Sequence, residues 1–204
     1  MGIIFVDFYG VIIKFIGNSY SSPQLAFFRN FFALIPIILL LIITRDIKNI
    51  FVGISKKFLF LCFLRGISFV LMQIFYYISI INMNFATATT LTFSSPIFIV
   101  VLSMLVLKEK IGLFRWSAIF IGFGGVLFIM NPTSDLFSYI SILPLLAALC
   151  WAISNIVLKF IPEDISSVKI NFYSINFSYI GSLIILFFSS DFSPVENSFD
   201  WLLL

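Results

Sequence analysis

Residues 86–132 read ATATTLTFSSPIFIVVLSMLVLKEKIGLFRWSAIFIGFGGVLFIMNP. They form two apolar runs joined by a short charged turn, Lys-Glu-Lys at 108–110. The first run opens with threonines and carries Ser94, Ser95 and Pro96 near its middle. Hydroxyl groups and a proline at mid-depth are unusual in a simple membrane anchor, because lipid offers no partner to polar groups. The stretch therefore predicts a membrane span that faces protein or water as well as lipid.

The composition predicts a polytopic membrane protein. Of the 204 residues, 61% are hydrophobic and 10% are charged. A soluble domain has about 25% charged residues, so this chain lacks the polar side chains that a soluble surface needs. No basic patch with interleaved aromatic residues stands out, so we expect no nucleic-acid partner. The chain has no histidine, and its two cysteines lie inside apolar runs. We therefore predict no metal site and no cofactor.

Seven apolar runs approach the roughly 20 residues that a helix needs to cross a bilayer, and an eighth begins near Phe199. The seven runs are 3–17, 25–43, 58–80, 87–107, 116–131, 139–158 and 172–189. Lysine and arginine accumulate in cytoplasmic loops. If the N-terminus is cytoplasmic, the inside loops hold nine such residues and the outside loops hold none. We therefore expect a multi-pass protein of the inner membrane with a cytoplasmic N-terminus.

An internal repeat relates the two parts of the chain. When the sequence is shifted by 145 residues, Lys14-Phe15-Ile16 falls on Lys159-Phe160-Ile161. Five spans separate the two copies, and five is odd, so the second copy must enter the membrane in the opposite orientation. This pattern predicts an inverted-topology repeat, which is typical of secondary transporters.

Polar side chains follow one face of the third and fourth spans. The stripe on the third span runs from Arg65 to Ser79 and covers roughly 80° of arc at 100° per residue. Such a stripe on a lipid-embedded helix should face a cavity or another helix. We therefore expect a substrate-binding or translocation cavity between the third, fourth and sixth spans. Its candidate residues are Arg65, Gln73, Tyr76, Thr90, Ser94, Ser95, Trp151 and Asn155.

Structural interpretations compete with these roles. Arg65 lies about two turns from the cytoplasmic end of its span, so its side chain could extend to the headgroups. Small hydroxyl residues are favoured wherever transmembrane helices pack closely. The ionisable residues Asp7, Lys14 and Arg29 are candidates for ion coupling or a charge pair, although each lies near a span end and could reach the headgroups. Asp7 is the acidic residue that could couple transport to a proton gradient.

Several features of the spans have a structural interpretation. Pro36 and Pro96 each remove a mid-span hydrogen bond and are predicted to kink their helices. The turn at 108–110 is predicted to be solvated and cytoplasmic. The fifth span carries three glycines that we predict to be packing contacts. They are Gly122, Gly124 and Gly125.

The chain resembles the EamA-type proteins of the drug/metabolite transporter superfamily. The resemblance covers nearly the whole chain and implies an all-α bundle of ten transmembrane helices, arranged as two inverted five-helix repeats around a central cavity. It implies secondary transport of small metabolites, and the chain looks closest to the branch that includes S-adenosylmethionine uptake carriers. It is carried by Phe27-Phe28-Arg29, Leu64-Arg65-Gly66, Ser-Ser-Pro at 94–96, Leu-Lys-Glu-Lys at 107–110, Trp116, and Gly-Phe-Gly-Gly-Val followed by Asn131-Pro132.

This resemblance divides the chain at residue 137. Residues 1–137 would form the first repeat, and 138–204 an incomplete second repeat, giving seven spans and the start of an eighth. The expected function is alternating-access transport of an amino-acid-like, nucleoside-like or S-adenosylmethionine-like metabolite, with a substrate and the bilayer as partners; a homodimer is compatible with it. Two alternatives are a non-transporting fragment and, less well supported, a membrane-embedded lipid enzyme. An enzyme of that kind should show clustered intramembrane His, Asp or Glu, so we expect no enzymatic activity.

Overall fold

The computed structural model describes most of the chain, and the regular secondary structure in the described part is helical. The described residues are 13–14, 17, 19–44, 50–110, 112–130, 139–189 and 192–194. Seven α-helices lie within these ranges, and a short 3-10 turn, Tyr139–Ser141, precedes the sixth. They are α1 (Ser22–Ile43), α2 (Lys56–Asn82), α3 (Phe85–Thr92), α4 (Ser95–Val106), α5 (Leu113–Met130), α6 (Ile142–Leu158) and α7 (Ser167–Ser189).

The helices occupy the predicted membrane spans from the second to the seventh. Five segments are long and apolar enough to cross a membrane when α3 and α4 count as one and α6 includes its preceding turn. The sixth, α5, is apolar from Leu113 to Gly125 and covers the predicted fifth span. The chain is therefore a helical, multi-pass membrane protein. The predicted first span at 3–17 and the start of an eighth at Phe199 lie outside the described residues, so the count of seven stays a prediction.

Helix α2 is the centre of the described bundle. It packs most extensively against α6, and also against α7, α1 and α3. Its start is fixed by Ser55, whose side chain accepts a hydrogen bond of 3.0 Å from the Phe58 amide, as expected of an N-cap serine. On the facing helix α6, Ala148 and Ala152 are fully buried. Such small side chains let two membrane helices approach closely.

Helices α1 and α7 run antiparallel. At one end, the Gln24 side chain forms two hydrogen bonds, of 2.6 and 3.0 Å, with the Ser193 backbone just beyond α7. At the other end, the Tyr173 hydroxyl near the start of α7 donates to the carbonyl of Ile50, which follows α1. The two helices begin at Ser22 and Ser167, which are 145 residues apart, the offset of the sequence repeat. This arrangement supports an inverted repeat, which itself stays a prediction.

A reciprocal amide pair joins three helices inside the bundle. Asn30 on α1 and Gln73 on α2 each donate to the other's side-chain oxygen at 3.0 Å. The Asn30 amide also lies 3.4 Å from the Ser182 hydroxyl and 3.5 Å from the Ser178 carbonyl, both on α7. Asn30 and Gln73 are each 1% exposed, so the pair supplies hydrogen bonds that lipid would not provide.

The described loops that carry lysine lie together at one end of the bundle. Glu109, in the turn between α4 and α5, forms an ion pair of 2.9 Å with Lys159, which follows α6. Hydrogen bonds from Ser103 and Lys159 lower the pKa of the Glu109 carboxyl. The pair is therefore intact at neutral pH and weakens only when the pH falls below the ordinary carboxyl range. The Lys169 side chain also donates to the Val52 carbonyl at this end.

The turn at 108–110 is only partly as predicted. Lys108 and Lys110 are exposed, as expected of a solvated turn, and Lys108 has a left-handed backbone with φ of 55°. Glu109, by contrast, is held by its contacts with Ser103 and Lys159. The negative side chain thus links the turn to the loop after α6, because it lies between the Ser103 hydroxyl and the Lys159 ammonium group.

The predicted packing role of the fifth-span glycines is wrong for the described part of the chain. A Cβ atom added at Gly122, Gly124 or Gly125 would meet no other described atom within 4 Å. A close approach occurs instead at Gly66 on α2, where an added Cβ would lie 2.7 Å from the Ser174 carbonyl and 2.8 Å from the Phe177 Cβ. The Ser178 hydroxyl donates to the Gly66 carbonyl at 2.9 Å, so α7 rests directly on the α2 backbone.

The helical span 87–107 is interrupted rather than continuous. Helix α3 ends at Thr92, and α4 begins at Ser95 with Pro96 in its first turn. Proline suits this position because the first helical amides lack an intrahelical acceptor. Pro36 lies inside α1, where the helix continues through it. The effect of both prolines on transport stays a prediction.

We predict that Gly66→Ala destabilises the protein by about 1–3 kcal/mol, because the new methyl group overlaps backbone atoms of α7. The measurement is thermal or denaturant unfolding in detergent micelles. Gly181→Ala is the matched control: its added Cβ would lie 3.7 Å from Val70, so α7 should tolerate it. Equal stability of the two variants would contradict the close contact at Gly66.

We predict that Asn30→Leu or Gln73→Leu alone lowers the free energy of unfolding by about 1–3 kcal/mol, because the remaining buried amide loses its partner. The double variant should lose less than the sum of the two single losses, since no amide is then left unpaired. A double-mutant cycle measured by unfolding gives the coupling between the two residues. Additive losses would show that the amide pair contributes no coupling.

Candidate functional site

Arg65 is held between two helices well inside the membrane-spanning part of α2. It lies nine residues after Lys56, the first residue of α2, which places its Cα roughly 14 Å along the helix. Its Nη1 atom donates to Oδ1 of Asn171 on α7 at 3.1 Å. Its Nε atom is buried and has no hydrogen-bond partner among the described residues. Helices α1–α7 contain no Asp or Glu, so no carboxylate from them neutralises this charge.

Arg29, Phe69 and Trp151 form a row of contacts across three helices. The Arg29 guanidinium on α1 lies 5.3 Å from the centroid of the Phe69 ring on α2. The Phe69 ring in turn lies 5.8 Å from that of Trp151 on α6. A cation over an aromatic face is stabilised by the ring quadrupole, by about 0.5–2 kcal/mol. Trp151 keeps 38% of its surface exposed, so the row ends on an accessible indole.

The remaining candidates on α2 and α6 differ in accessibility. Tyr76 is half-buried and packs beside a buried cluster that includes Ile80 and Met83. Asn155 is half-buried and donates to the Trp151 carbonyl, one turn earlier on α6, at 2.8 Å. Gln73 is committed to the amide pair described above, so a substrate could contact its amide only if that pair opened.

The hydroxyl groups of the fourth span bond to their own helix. Thr90 is fully buried and donates to the Ala86 carbonyl at 2.7 Å. Ser94, also buried, donates to the Leu91 carbonyl at 2.6 Å. Ser95 is half-buried at the first position of α4. Back-bonding of this kind satisfies a hydroxyl without a second helix or a ligand, which favours the packing interpretation for Thr90 and Ser94.

Lys14 reaches the far end of α2. Its ammonium group donates to the carbonyls of Ile80 at 2.6 Å and Met83 at 2.7 Å. These carbonyls belong to the C-terminal end of α2, where a positive charge is favourable. The contacts therefore explain the position of Lys14 without a coupling role. Asp7, its predicted companion, lies outside the described residues.

Two cavities of moderate size lie away from Arg65. One, of about 330 Å³, is at the lysine-rich end between the loops after α1 and α6, where Lys169 and Asp164 line it. The other, of about 370 Å³, lies between α5 and the break that separates α3 from α4, with Pro96 in its wall. The packing of α2 against α3 and α6, and of α4 against α6, does bring the third, fourth and sixth spans together as predicted.

Three polar residues of the bundle were missed from the sequence. Asn30 pairs with Gln73, Asn171 binds Arg65, and Ser174 has a buried hydroxyl without a hydrogen-bond partner in the described chain. The signal that could have found the first two is their residue type, because an uncharged amide inside an apolar span also needs a partner. Asn171 and Ser174 are three residues apart and therefore share a face of α7.

Comparison with known proteins gives a consistent group of relatives. The chain is 31% identical over 166 residues to the S-adenosylmethionine uptake transporter of Rickettsia bellii, covering 80% of this chain and 55% of that protein. For the S-adenosylmethionine uptake transporter of Rickettsia conorii, identity is 28% over 194 residues, with coverage of 95% and 63%. The riboflavin transporter of Rhizobium johnstonii is 39% identical over 72 residues, with coverage of 35% and 24%.

The chain thus spans less than two thirds of the length of each of these relatives. No solved structure matches it. Residues 1–131, which are more than half of the chain, match the model of the EamA-like transporter family. The chain therefore belongs to the EamA-like transporter family, within the drug/metabolite transporter superfamily.

Proposed function

We propose that this chain acts as a secondary transporter, which moves a small metabolite across the inner membrane by alternating access. The family and the names of its relatives support transport of a small molecule. The S-adenosylmethionine carriers match 80–95% of the chain, whereas the riboflavin transporter matches 35%. An S-adenosylmethionine-like or amino-acid-like substrate is therefore better supported than a riboflavin-like one.

Arg65 is the observation that carries this proposal. An arginine in a membrane span is costly: the cost is about 2.5 kcal/mol or more at the bilayer centre and falls toward the end of the helix, where Arg65 lies about two turns inside its span. Helices α1–α7 supply no carboxylate to offset this cost. The guanidinium donates to Asn171, which lies four residues after the first residue of α7. A substrate with an anionic group would bind there, and Arg65 would be its principal contact.

The other candidate residues would orient the substrate around Arg65. The half-buried residues Tyr76, Ser95 and Asn155 and the exposed Trp151 offer aromatic, hydroxyl and amide contacts in the described conformation. The buried ones would become accessible only when helices separate. We propose that they serve as packing groups that a moving helix exposes, and they are Gln73, Thr90 and Ser94.

Alternating access would use the inverted arrangement of the helices. The antiparallel packing of α1 and α7 supports two repeats of opposite orientation, 1–137 and 138–204. The family model ends at residue 131, close to the proposed boundary. Pro36 and Pro96 would absorb the bending as the repeats rock. We place the lysine-rich loops, and with them the N-terminus, on the cytoplasmic side, since basic loops are retained there.

We predict that Arg65→Gln reduces uptake of radiolabelled S-adenosylmethionine at least tenfold. The assay uses the complete protein, including any coding sequence that continues in frame, in proteoliposomes. The loss is expected because an anionic group would lose its positive partner. Lys57→Gln is the matched control, an exposed cation at the start of the same helix, and should transport at the wild-type rate.

Two results of that assay would contradict the proposal. Uptake by Arg65→Gln at the wild-type rate would remove Arg65 from the substrate site. Folded wild-type protein that carries none of S-adenosylmethionine, methionine or riboflavin would favour the non-transporting alternative. A homodimer is a separate proposal, which light scattering of the purified protein would test.

We predict that Asp7→Asn abolishes the stimulation of uptake by an imposed pH gradient, while uptake down a substrate gradient persists. The reason is that an asparagine cannot carry the proton that a coupled carboxylate carries. Uptake into proteoliposomes is compared with and without the gradient for both proteins. If the two respond equally to the gradient, Asp7 is not the coupling residue.

A further inference from the structure

The contact between α2 and α7 contains two buried polar atoms that lack a hydrogen-bond partner among the described residues. They are the Nε atom of Arg65 and the hydroxyl oxygen of Ser174. Most buried polar groups in folded proteins are hydrogen-bonded, and an unsatisfied one costs about 1–3 kcal/mol. The burial of two such groups in one helix contact therefore indicates a ligand that accepts a hydrogen bond from each of them.

The two groups belong to one locality. Asn171 binds Arg65 at 3.1 Å, and Ser174 lies three residues later on the same face of α7. Gly66, the residue after Arg65, brings the helices together, because a Cβ added there would lie 2.7 Å from the Ser174 carbonyl. The Cys62 thiol, one turn before Arg65, lies within hydrogen-bonding reach of the Ser174 hydroxyl and close to the guanidinium, but a neutral thiol is a weak acceptor and leaves the positive charge unbalanced.

The chemistry of these groups selects an anionic acceptor. The Arg65 Nε–H can only donate, and the Ser174 hydroxyl can donate as well. Asn171 already accepts from Nη1, which orients the guanidinium and leaves the Nε edge available. A carboxylate has two acceptor oxygens and the opposite charge, so one oxygen can take each donor. A neutral carbonyl oxygen or a water molecule could accept both hydrogen bonds but would leave the charge unbalanced.

We infer that Arg65, Asn171 and Ser174 form a carboxylate subsite, and that the transported metabolite carries a carboxylate. This inference rests on the proposed transport function and names the chemical class of its substrate. It favours an amino-acid-type compound such as S-adenosylmethionine over riboflavin, which has no carboxylate. Asn171 is a positioning residue, whereas Arg65 and Ser174 contact the ligand. Because Ser174 is 3% exposed, the ligand reaches it when α2 and α7 separate near Gly66.

The test measures binding to the purified complete protein by isothermal titration calorimetry, separately from transport. The probes are S-adenosylmethionine, its decarboxylated analogue and riboflavin. The wild type should bind S-adenosylmethionine at least tenfold more tightly than the decarboxylated analogue. Ser174→Ala should weaken S-adenosylmethionine binding about tenfold, the effect of one hydrogen bond to a charged group. The same variant should leave binding of the decarboxylated analogue unchanged.

Two further variants separate the roles of charge and geometry. Arg65→Lys keeps the charge but removes Nε, so it should lose affinity for S-adenosylmethionine and not for the decarboxylated analogue. Ser189→Ala is the matched control, because its hydroxyl already bonds to the Leu186 carbonyl near the end of the same helix. It should bind both probes as the wild type does. The melting temperature of each variant shows whether the fold is retained.

The other possible results either contradict the carboxylate subsite or separate it from the transport function. If the wild type binds both S-adenosyl probes equally, or if Ser174→Ala weakens both to the same extent, there is no carboxylate subsite. If the protein transports riboflavin and not S-adenosylmethionine, the inference fails while the proposed transport function stands. If no probe is transported but carboxylate-selective binding is lost in Ser174→Ala, the subsite stands and the transport proposal fails.

Discussion

The close contact of α7 with α2 at Gly66 is the constraint on which the rest of the described bundle depends. The absence of a side chain at this position lets the Ser178 hydroxyl reach the Gly66 carbonyl and brings Asn171 to Arg65. At this separation, hydrogen bonds between helices replace the water that the membrane excludes. The same contact holds α7 beside α1, where Asn30 meets Ser178 and Ser182.

Most of the fold could be predicted from the sequence, because crossing a membrane is a local requirement. Length and apolarity are properties of single segments, so the five described helical spans follow from them, while the alternation of their direction, which was inferred from loop charge, stays a prediction. Which helices pack against each other could not be predicted in this way, because packing depends on which faces of two helices meet. Gly66 and Gly124 are the same residue type in apolar spans, yet only Gly66 meets a neighbouring backbone in the described chain.

The candidate site was predicted in part for the same reason. Arg65 was identifiable because an ionised group in lipid is costly wherever it points. Gln73 was identifiable as a polar residue, but its partner Asn30 was not, because the pair joins residues 43 positions apart. Thr90 was predicted to face a cavity, but its hydroxyl bonds to its own helix. A polar stripe along one face of a helix therefore does not by itself imply a cavity.

The position of Arg65 has a further consequence for how the molecule would work. Arg65 lies before the proposed boundary at residue 137, whereas Asn171 and Ser174 lie after it. A carboxylate bound between them would be held by both repeats, so its affinity would depend on their relative position.

The Glu109–Lys159 ion pair also joins the two repeats, at the lysine-rich end. Because both side chains are solvent-exposed, the pair contributes little to stability, so it can break and reform as the repeats move. The stronger constraint on their separation is the buried contact at Gly66, next to the proposed ligand. A ligand that replaces the missing hydrogen bonds of Arg65 and Ser174 would therefore act at the place where the repeats must part.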